Sequence, residues 1–230
     1  PKPVLVLTHT NAGAAALRSR LQRARVPSNA YRVATIDGFS MRLISTFPMR
    51  SSHDPQILQI SNPRNDYPAI REAARRLLRS RDVSEPLRAT YSRLLVDEYQ
   101  DCSVIQHSII DALSAELPTV VLGDPMQAIF GFAGNQLVHW QNHVEAQFPT
   151  IGALATPWRW RNAGSEELGR WLLDARALLQ RGQSVDVRTG PPEVSWVQLN
   201  PATADQQRRA AAQTRLVGNE QTVLIIGDSR

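Results

Sequence analysis

Two short apolar runs end abruptly in acid, and no other feature of the sequence restricts the fold as much. Leu94-Leu95-Val96 passes without a spacer into Asp97-Glu98, and Thr119-Val120-Val121-Leu122 passes into Gly123-Asp124-Pro125. The second run is apolar throughout, which suits a strand covered on both faces of a parallel sheet. Between the two, Val104 to Leu113 places Ile105, Ile109 and Leu113 at the spacing of one buried helix face. Strand, helix and strand in this order form a parallel crossover. Both acidic strand ends then emerge at the carboxyl edge of one sheet, where α/β folds bind their ligands.

The same grammar runs through much of the chain. Val4 to Leu7 reads as a strand ending in Thr8-His9-Thr10-Asn11, polar residues suited to cap a helix from Ala12 to Arg25. Arg32 to Thr35 reads as another strand, followed by Ile36-Asp37-Gly38 and an apolar-periodic segment from Phe39 to Phe47. Pro48 to Pro68 mixes Ser, Asn, Asp and Pro as loops do, and Ala69 to Ser80 returns to helical spacing through Ile70, Ala73, Ala74, Leu77 and Leu78. Further on, a strand is expected at Ile151 to Ala155 and a helix from Ser165 to Arg181. A linker follows at residues 182–192, then a strand at Val194 to Leu199, a helix from Pro201 to Val217 and a strand at Thr222 to Ile226. The fold class is α/β, a mostly parallel sheet flanked by helices. The expected division is a first domain over 1–181 and the start of a second over 193–230.

Composition removes several classes of function. With 42% hydrophobic and 20% charged residues the chain resembles an ordinary soluble domain, no apolar run is long enough to span a bilayer, and the amino terminus has no signal-peptide pattern. A cytoplasmic location without membrane attachment is the default expectation. Cys102 is the single cysteine, so neither an intrachain disulfide nor a cysteine-based zinc site can form. The net charge of +5 suits a phosphate-bearing partner, although Lys2 is the only lysine among 26 basic residues, and a codon bias toward arginine accounts for that without any function.

An Asp-Glu pair at a strand end is, taken alone, usually a solvated turn. Paired carboxylates at a buried strand's tip also suit phosphoryl hydrolysis, where one holds magnesium and the next activates water. The second strand end tips the balance, because its loop continues as Gly123-Asp124-Pro125-Met126-Gln127-Ala128-Ile129-Phe130-Gly131-Phe132-Ala133-Gly134.

The order VDEYQD, helix, apolar strand, GDPMQAIFGFAG resembles the second and third motifs of superfamily 1 DNA helicases of the UvrD/Rep type, whose usual forms are DEFQD and GDDDQSIYGWRG. The resemblance implies a RecA-like motor domain. It implies that Asp97 serves Mg2+, that Glu98 is the catalytic base, that Gln127 senses the terminal phosphate of ATP, and that Phe130 and Phe132 stack on single-stranded bases. Thr8-His9-Thr10-Asn11-Ala12 resembles the family's TFTNKAA segment, and Thr35-Ile36-Asp37-Gly38-Phe39 its TFHSF segment, which gives Thr10, Asn11 and Thr35 to the DNA strand. Leu154-Ala155-Thr156-Pro157-Trp158-Arg159 stands where the family has L-x-x-N-Y-R. Trp158 would then stack on adenine and Arg159 act as the arginine finger; a second register gives these roles to Trp160 and Arg161, and the leucine spacing favours the first. Core packing of the two tryptophans is the plainer alternative. Single-stranded DNA, duplex junctions and the remainder of a helicase chain are the implied partners, with DNA repair as the implied setting.

The pattern also departs from the family. No G-x-x-x-x-G-K-[ST] loop occurs in these residues, since Lys2 has no glycine-rich run around it. The expectation is a motor domain missing its amino-terminal phosphate loop, a piece of a longer protein that is inactive toward ATP by itself. His9 replaces the family's Phe, Asp37 its His and Ala133 its Arg, and an aspartate there is expected to repel phosphate. Two other readings remain: a non-catalytic DNA- or protein-binding remnant, and a metal-dependent nuclease built on Asp97, Glu98, Asp101 and Asp124.

Overall fold

A computed structural model describes residues 2–131, 136–196 and 200–212. By compactness the chain divides into two units, Pro1–Ile151 and Gly152–Arg230.

The first unit is built on four strands: β1 (Val4–Thr8), β2 (Tyr31–Thr35), β3 (Arg93–Val96) and β4 (Thr119–Val121). They lie in the order β2-β1-β3-β4, and every pairing is parallel. The expected α/β class is therefore observed, and all four carboxyl ends leave the same edge of the sheet. Helix α1 (Asn11–Arg23) starts at Thr10, whose side chain accepts from the Gly13 amide, and α2 (Ile36–Thr46) starts at Thr35, whose side chain accepts from the Gly38 amide. Each threonine thus satisfies one of the donors that a helix start leaves without a partner.

Between Pro48 and Pro68 the chain is more ordered than its polar composition suggests. It forms a single turn α3 (Pro48–Ser51) and a 3-10 turn (Pro55–Gln59), and α4 (Pro63–Arg79) begins six residues before the apolar period does. Pro63 occupies the first helical turn, where a missing N–H costs nothing, and the Asp66 carboxylate accepts from the Asn62 amide at 2.7 Å. A short α5 (Ser84–Thr90) leads into β3, and α6 (Val104–Ser114) joins β3 to β4. Ser103 and Gln106 close the start of α6 with reciprocal side-chain to backbone bonds.

Helices α2, α4 and α6 pack side by side, and their apolar faces meet Leu5, Leu7, Leu94 and Val96 of the sheet in one core. Ile36, Ile44, Ile70, Ala74, Ile109, Ile110 and Leu113 are fully enclosed there. The sheet's other face is covered unevenly. Val6, Leu95 and Val120 are register partners across β1, β3 and β4, and they pass from buried through half-buried to 42% exposed. Helix α1 packs on β1 and β2, so its cover does not extend over β4. The expectation that the Thr119 to Leu122 run is enclosed on both faces is corrected by this.

In the second unit, α7 (Trp158–Asn162) turns into α8 (Glu166–Gln180), and α9 (Ala204–Ala212) follows after a 3-10 turn (Val187–Thr189). Gly169 lets the α7 and α8 backbones approach, because a Cβ there would lie 2.8 Å from Pro157 Cβ and 2.9 Å from Trp160 Cβ. Residues 151–155 form no strand, and Ile151 and Leu154 are exposed. An apolar run becomes a strand only where another strand offers it hydrogen bonds. Residues 194–196 form no strand either. The rest of that expected strand, the end of the helix toward Val217 and the strand at 222–226 lie outside the described residues.

Candidate functional site at the carboxyl edge of the sheet

Asp97 follows directly on β3, and its amide donates to the Leu7 carbonyl at 2.8 Å, which carries the β1 pairing one residue beyond the strand. Its carboxyl is half-buried. Burial raises its affinity for a proton, and the neighbouring Glu98 charge acts the same way, against a backbone hydrogen bond from Glu98 and the charge of Arg20. A lone carboxylate at a strand tip matches what Mg2+ takes from proteins, one or two carboxylates with the remaining positions filled by phosphate and water. Among the described residues no group of three or more His, Cys, Asp or Glu is placed to hold a metal.

Glu98 has left-handed backbone angles, φ 55° and ψ 44°. A residue with a Cβ is held there at a cost of about 1 kcal/mol, a strain that concentrates at acting positions. The turn directs the Glu98 side chain outward while Tyr99, next in sequence, is buried in the core. Tyr99 donates its amide to the Leu122 carbonyl at 3.0 Å, and its hydroxyl lies 2.8 Å from His107 Nδ1.

Gln127 lies in a 3-10 turn (Pro125–Gln127) after β4. It is joined to Glu98 by an unbroken series of hydrogen bonds. Gln100 Nε2 donates to Glu98 Oε2 at 2.7 Å, Gln100 Oε1 accepts from the Asp124 amide at 2.9 Å, and Asp124 Oδ2 accepts from Gln127 Nε2 at 2.7 Å. Gly123 makes room for this, since a Cβ there would come within 2.9 Å of both Gln100 Oε1 and the Trp140 ring. Gln100 received no role from the sequence. The one signal for it was that glycine at a strand end, a mark of close approach.

The segments from β1 and β2 open on the same edge. Thr10 and Thr35 use their side-chain oxygens as helix caps, and Asn11 is exposed in the first turn of α1. His9 packs its ring against Phe130, centroids 5.0 Å apart and tilted by 50°. Burial lowers its tendency to protonate, opposed by the charges of Asp101 and Asp37. Asp37 is held by Arg71 through two hydrogen bonds of 2.7 Å. Its charge is matched locally, which removes the physical basis for the phosphate repulsion that the sequence suggests. Phe132 lies outside the described residues.

In the second unit, Trp158 is exposed with the Arg161 guanidinium over its ring at 5.3 Å, and Arg159 lies over Trp160 at 5.6 Å. Arg161 is also paired with Glu166 at 2.9 Å.

Residues 62–145 match the family model for the UvrD/REP helicase N-terminal domain. Over 75 residues the chain is 35% identical to large ATP-dependent helicase/nuclease proteins from Lacticaseibacillus casei (strain BL23) and from Lacticaseibacillus paracasei (strain ATCC 334). Each alignment takes in 29% of this chain and 6% of the relative.

Proposed function

Because residues 62–145 carry a UvrD/REP-type helicase segment, we propose that the chain forms the hydrolytic side of an ATP-driven motor. In the intact protein it would move along single-stranded DNA and open duplex junctions. The observation that carries this reading is the hydrogen-bond series from Glu98 through Gln100 and Asp124 to Gln127, which gathers two neighbouring strand tips into one polar rim.

On this reading, a water oxygen attacks the terminal phosphorus of ATP and Glu98 accepts the water proton. The bond to the bridging oxygen breaks, and ADP and phosphate leave. Gln127 contacts the terminal phosphate, and Asp97 would hold Mg2+, which neutralises charge on the phosphates. Trp158 stacks on adenine. Arg159 serves as the arginine finger, supported by its exposure and by the engagement of Arg161 with Glu166. Thr10, Asn11 and Thr35 meet the DNA backbone at two helix starts, where amides and the helix dipole favour phosphate, and Phe130 and Phe132 stack on bases.

The same proposal keeps residues 1–181 as the first motor domain, 182–192 as a linker and 193–230 as the start of a second domain. It also keeps a cytoplasmic setting and a role in DNA repair; among the described residues no helix is long and apolar enough to cross a membrane. Nuclease chemistry on the four carboxylates is disfavoured, because Asp101 Oδ1 accepts from the Ile129 amide and Asp124 from the Met126 amide and Gln127, which engages both in local structure.

The test is ATP turnover by the full-length protein with and without single-stranded DNA. DNA-stimulated turnover that Glu98→Gln abolishes supports the reading, and the 230 residues alone are expected to be inactive, having no phosphate loop of their own. DNA binding that is indifferent to nucleotide, with no turnover by the full-length protein, would instead establish the non-catalytic remnant.

A further inference from the structure

Two adjacent residues grip the two ends of the loop that carries Gln127. Gln100 Oε1 accepts from the Asp124 amide at 2.9 Å, and Asp101 Oδ1 accepts from the Ile129 amide at 3.2 Å. Both side chains are buried, Gln100 with 3% and Asp101 with 6% of its surface exposed. Both stand in the 3-10 turn (Tyr99–Asp101) whose position is fixed by the enclosed Tyr99 ring. The loop therefore hangs from a rigid part of the core at two points, with Gln127 between them.

The Gln100 amide has a second duty. Its nitrogen donates to Glu98 Oε2 at 2.7 Å while its oxygen holds the loop. A primary amide is the side-chain group that can do both, because it presents a donor and an acceptor on neighbouring atoms in one plane. With the oxygen turned to a backbone N–H, the nitrogen has to face Glu98, so the direction of the amide is set by the loop.

We propose that Gln100 is a positioning residue for the hydrolytic step assigned above. It keeps the Glu98 carboxylate aimed and at a fixed separation from Gln127, and Asp101 anchors the far end of the loop beside Phe130. This rests on the reading of Glu98 as the base. A base must lie within hydrogen-bond reach of the proton it takes, so a carboxylate free to swing loses rate even when nucleotide still binds. The clamp also places the start of the aromatic segment, Ile129 and Phe130, one residue along the chain from the amide that steers Glu98. Contact with a base at Phe130 thus has a short mechanical path to the hydrolytic carboxylate.

The experiment uses the full-length protein, ATP and single-stranded DNA, with three variants. Glu98→Gln should abolish turnover. Gln100→Met, close in shape and without either hydrogen bond, should lower kcat by at least about tenfold while the KM for ATP changes by less than about threefold. Gln100→Glu keeps the acceptor for the Asp124 amide but replaces the donor with a second carboxylate. It should lower kcat and move the acid limb of the pH-rate profile upward, because adjacent carboxylates resist ionising together. A residue serving only to stabilise the fold would leave that limb unmoved, and Gln100→Glu supplies the answer should Gln100→Met fail to fold. If Glu98→Gln retains turnover, the reading of the site fails. If Glu98→Gln is inactive while both Gln100 variants keep the wild-type rate and pH profile, the positioning role alone is overturned.

Discussion

Asp37 and Arg71, far apart in sequence, face each other as two parallel forks, Nε to Oδ1 and Nη2 to Oδ2, each contact at 2.7 Å. Asp37 lies in the first turn of α2 and Arg71 within α4, and Gln106 of α6 adds a third bond to Asp37 Oδ1 at 3.2 Å. Three core helices are tied together at the end nearest the candidate site.

Both charges are only 20% exposed, so removing one partner leaves the other poorly solvated. Asp37→Ala should destabilise the chain by about 2 kcal/mol, and Asp37→Asn by less, since it retains an acceptor for the guanidinium. The double variant Asp37→Leu/Arg71→Met should lose less than the sum of the two single changes. Urea denaturation of all four proteins checks the order.

Asp97 offers the opposite sign. Burial raises its proton affinity in the folded state, so its contribution to stability is present at low pH and is lost as pH rises through the folded value. At neutral pH the ionised carboxylate is therefore a burden on the fold. Asp97→Asn should raise the thermal midpoint at pH 7 and leave it nearly unchanged at pH 3, while DNA-stimulated ATP turnover by the full-length protein is lost.

His107 lies between the Tyr99 hydroxyl and the stacked His143 ring, whose centroid is 5.6 Å away. Burial and then the His143 charge lower its proton affinity, with Asp111 pulling the other way, and burial does the same at His9. A histidine held neutral in the fold protonates first in the unfolded chain. Stability should accordingly be full above about pH 6.5 and fall as pH drops below that value. Replacing His107 with Gln should flatten the decline between pH 7.5 and 5.5, measured as the change in denaturation midpoint.

Gly123 can be tested without touching any charged group. Adding one methyl by Gly123→Ala forces a contact of 2.9 Å on the Trp140 ring and on a Gln100 oxygen that already holds a hydrogen bond. Overpacking of this kind costs about 1–3 kcal/mol. Gly123→Ala should lower the unfolding free energy by that amount, read by chemical denaturation.

The sequence reveals the four strands of the first unit, because each is a short apolar run closed by polar residues, and the helices after them, because their apolar positions repeat at helical spacing. Asp97, Glu98 and Gln127 were legible for the same reason: each follows a strand end and carries a chemistry expected there. Residues 48–62 were not legible, since single turns held by proline and local side-chain bonds leave no period to detect. Ile151 to Ala155 misled in the other direction, being apolar without a neighbouring strand. Gln100, Arg71 and Gln106 were missed because their partners are remote in sequence, and a polar residue that satisfies another polar residue across the fold has no pattern of its own. Val120 was misjudged because the extent of helix cover over a sheet is a tertiary quantity.

Since all four turns of interest leave one rim of the sheet, the opposite rim is open to engineering. The tight link between α1 and β2, Ala24 to Ala30, and the short one ahead of β4 both lie there. A fluorophore or affinity handle grafted at either position would sit a full strand length from the acting rim, giving a probe of motion that leaves the chemistry undisturbed.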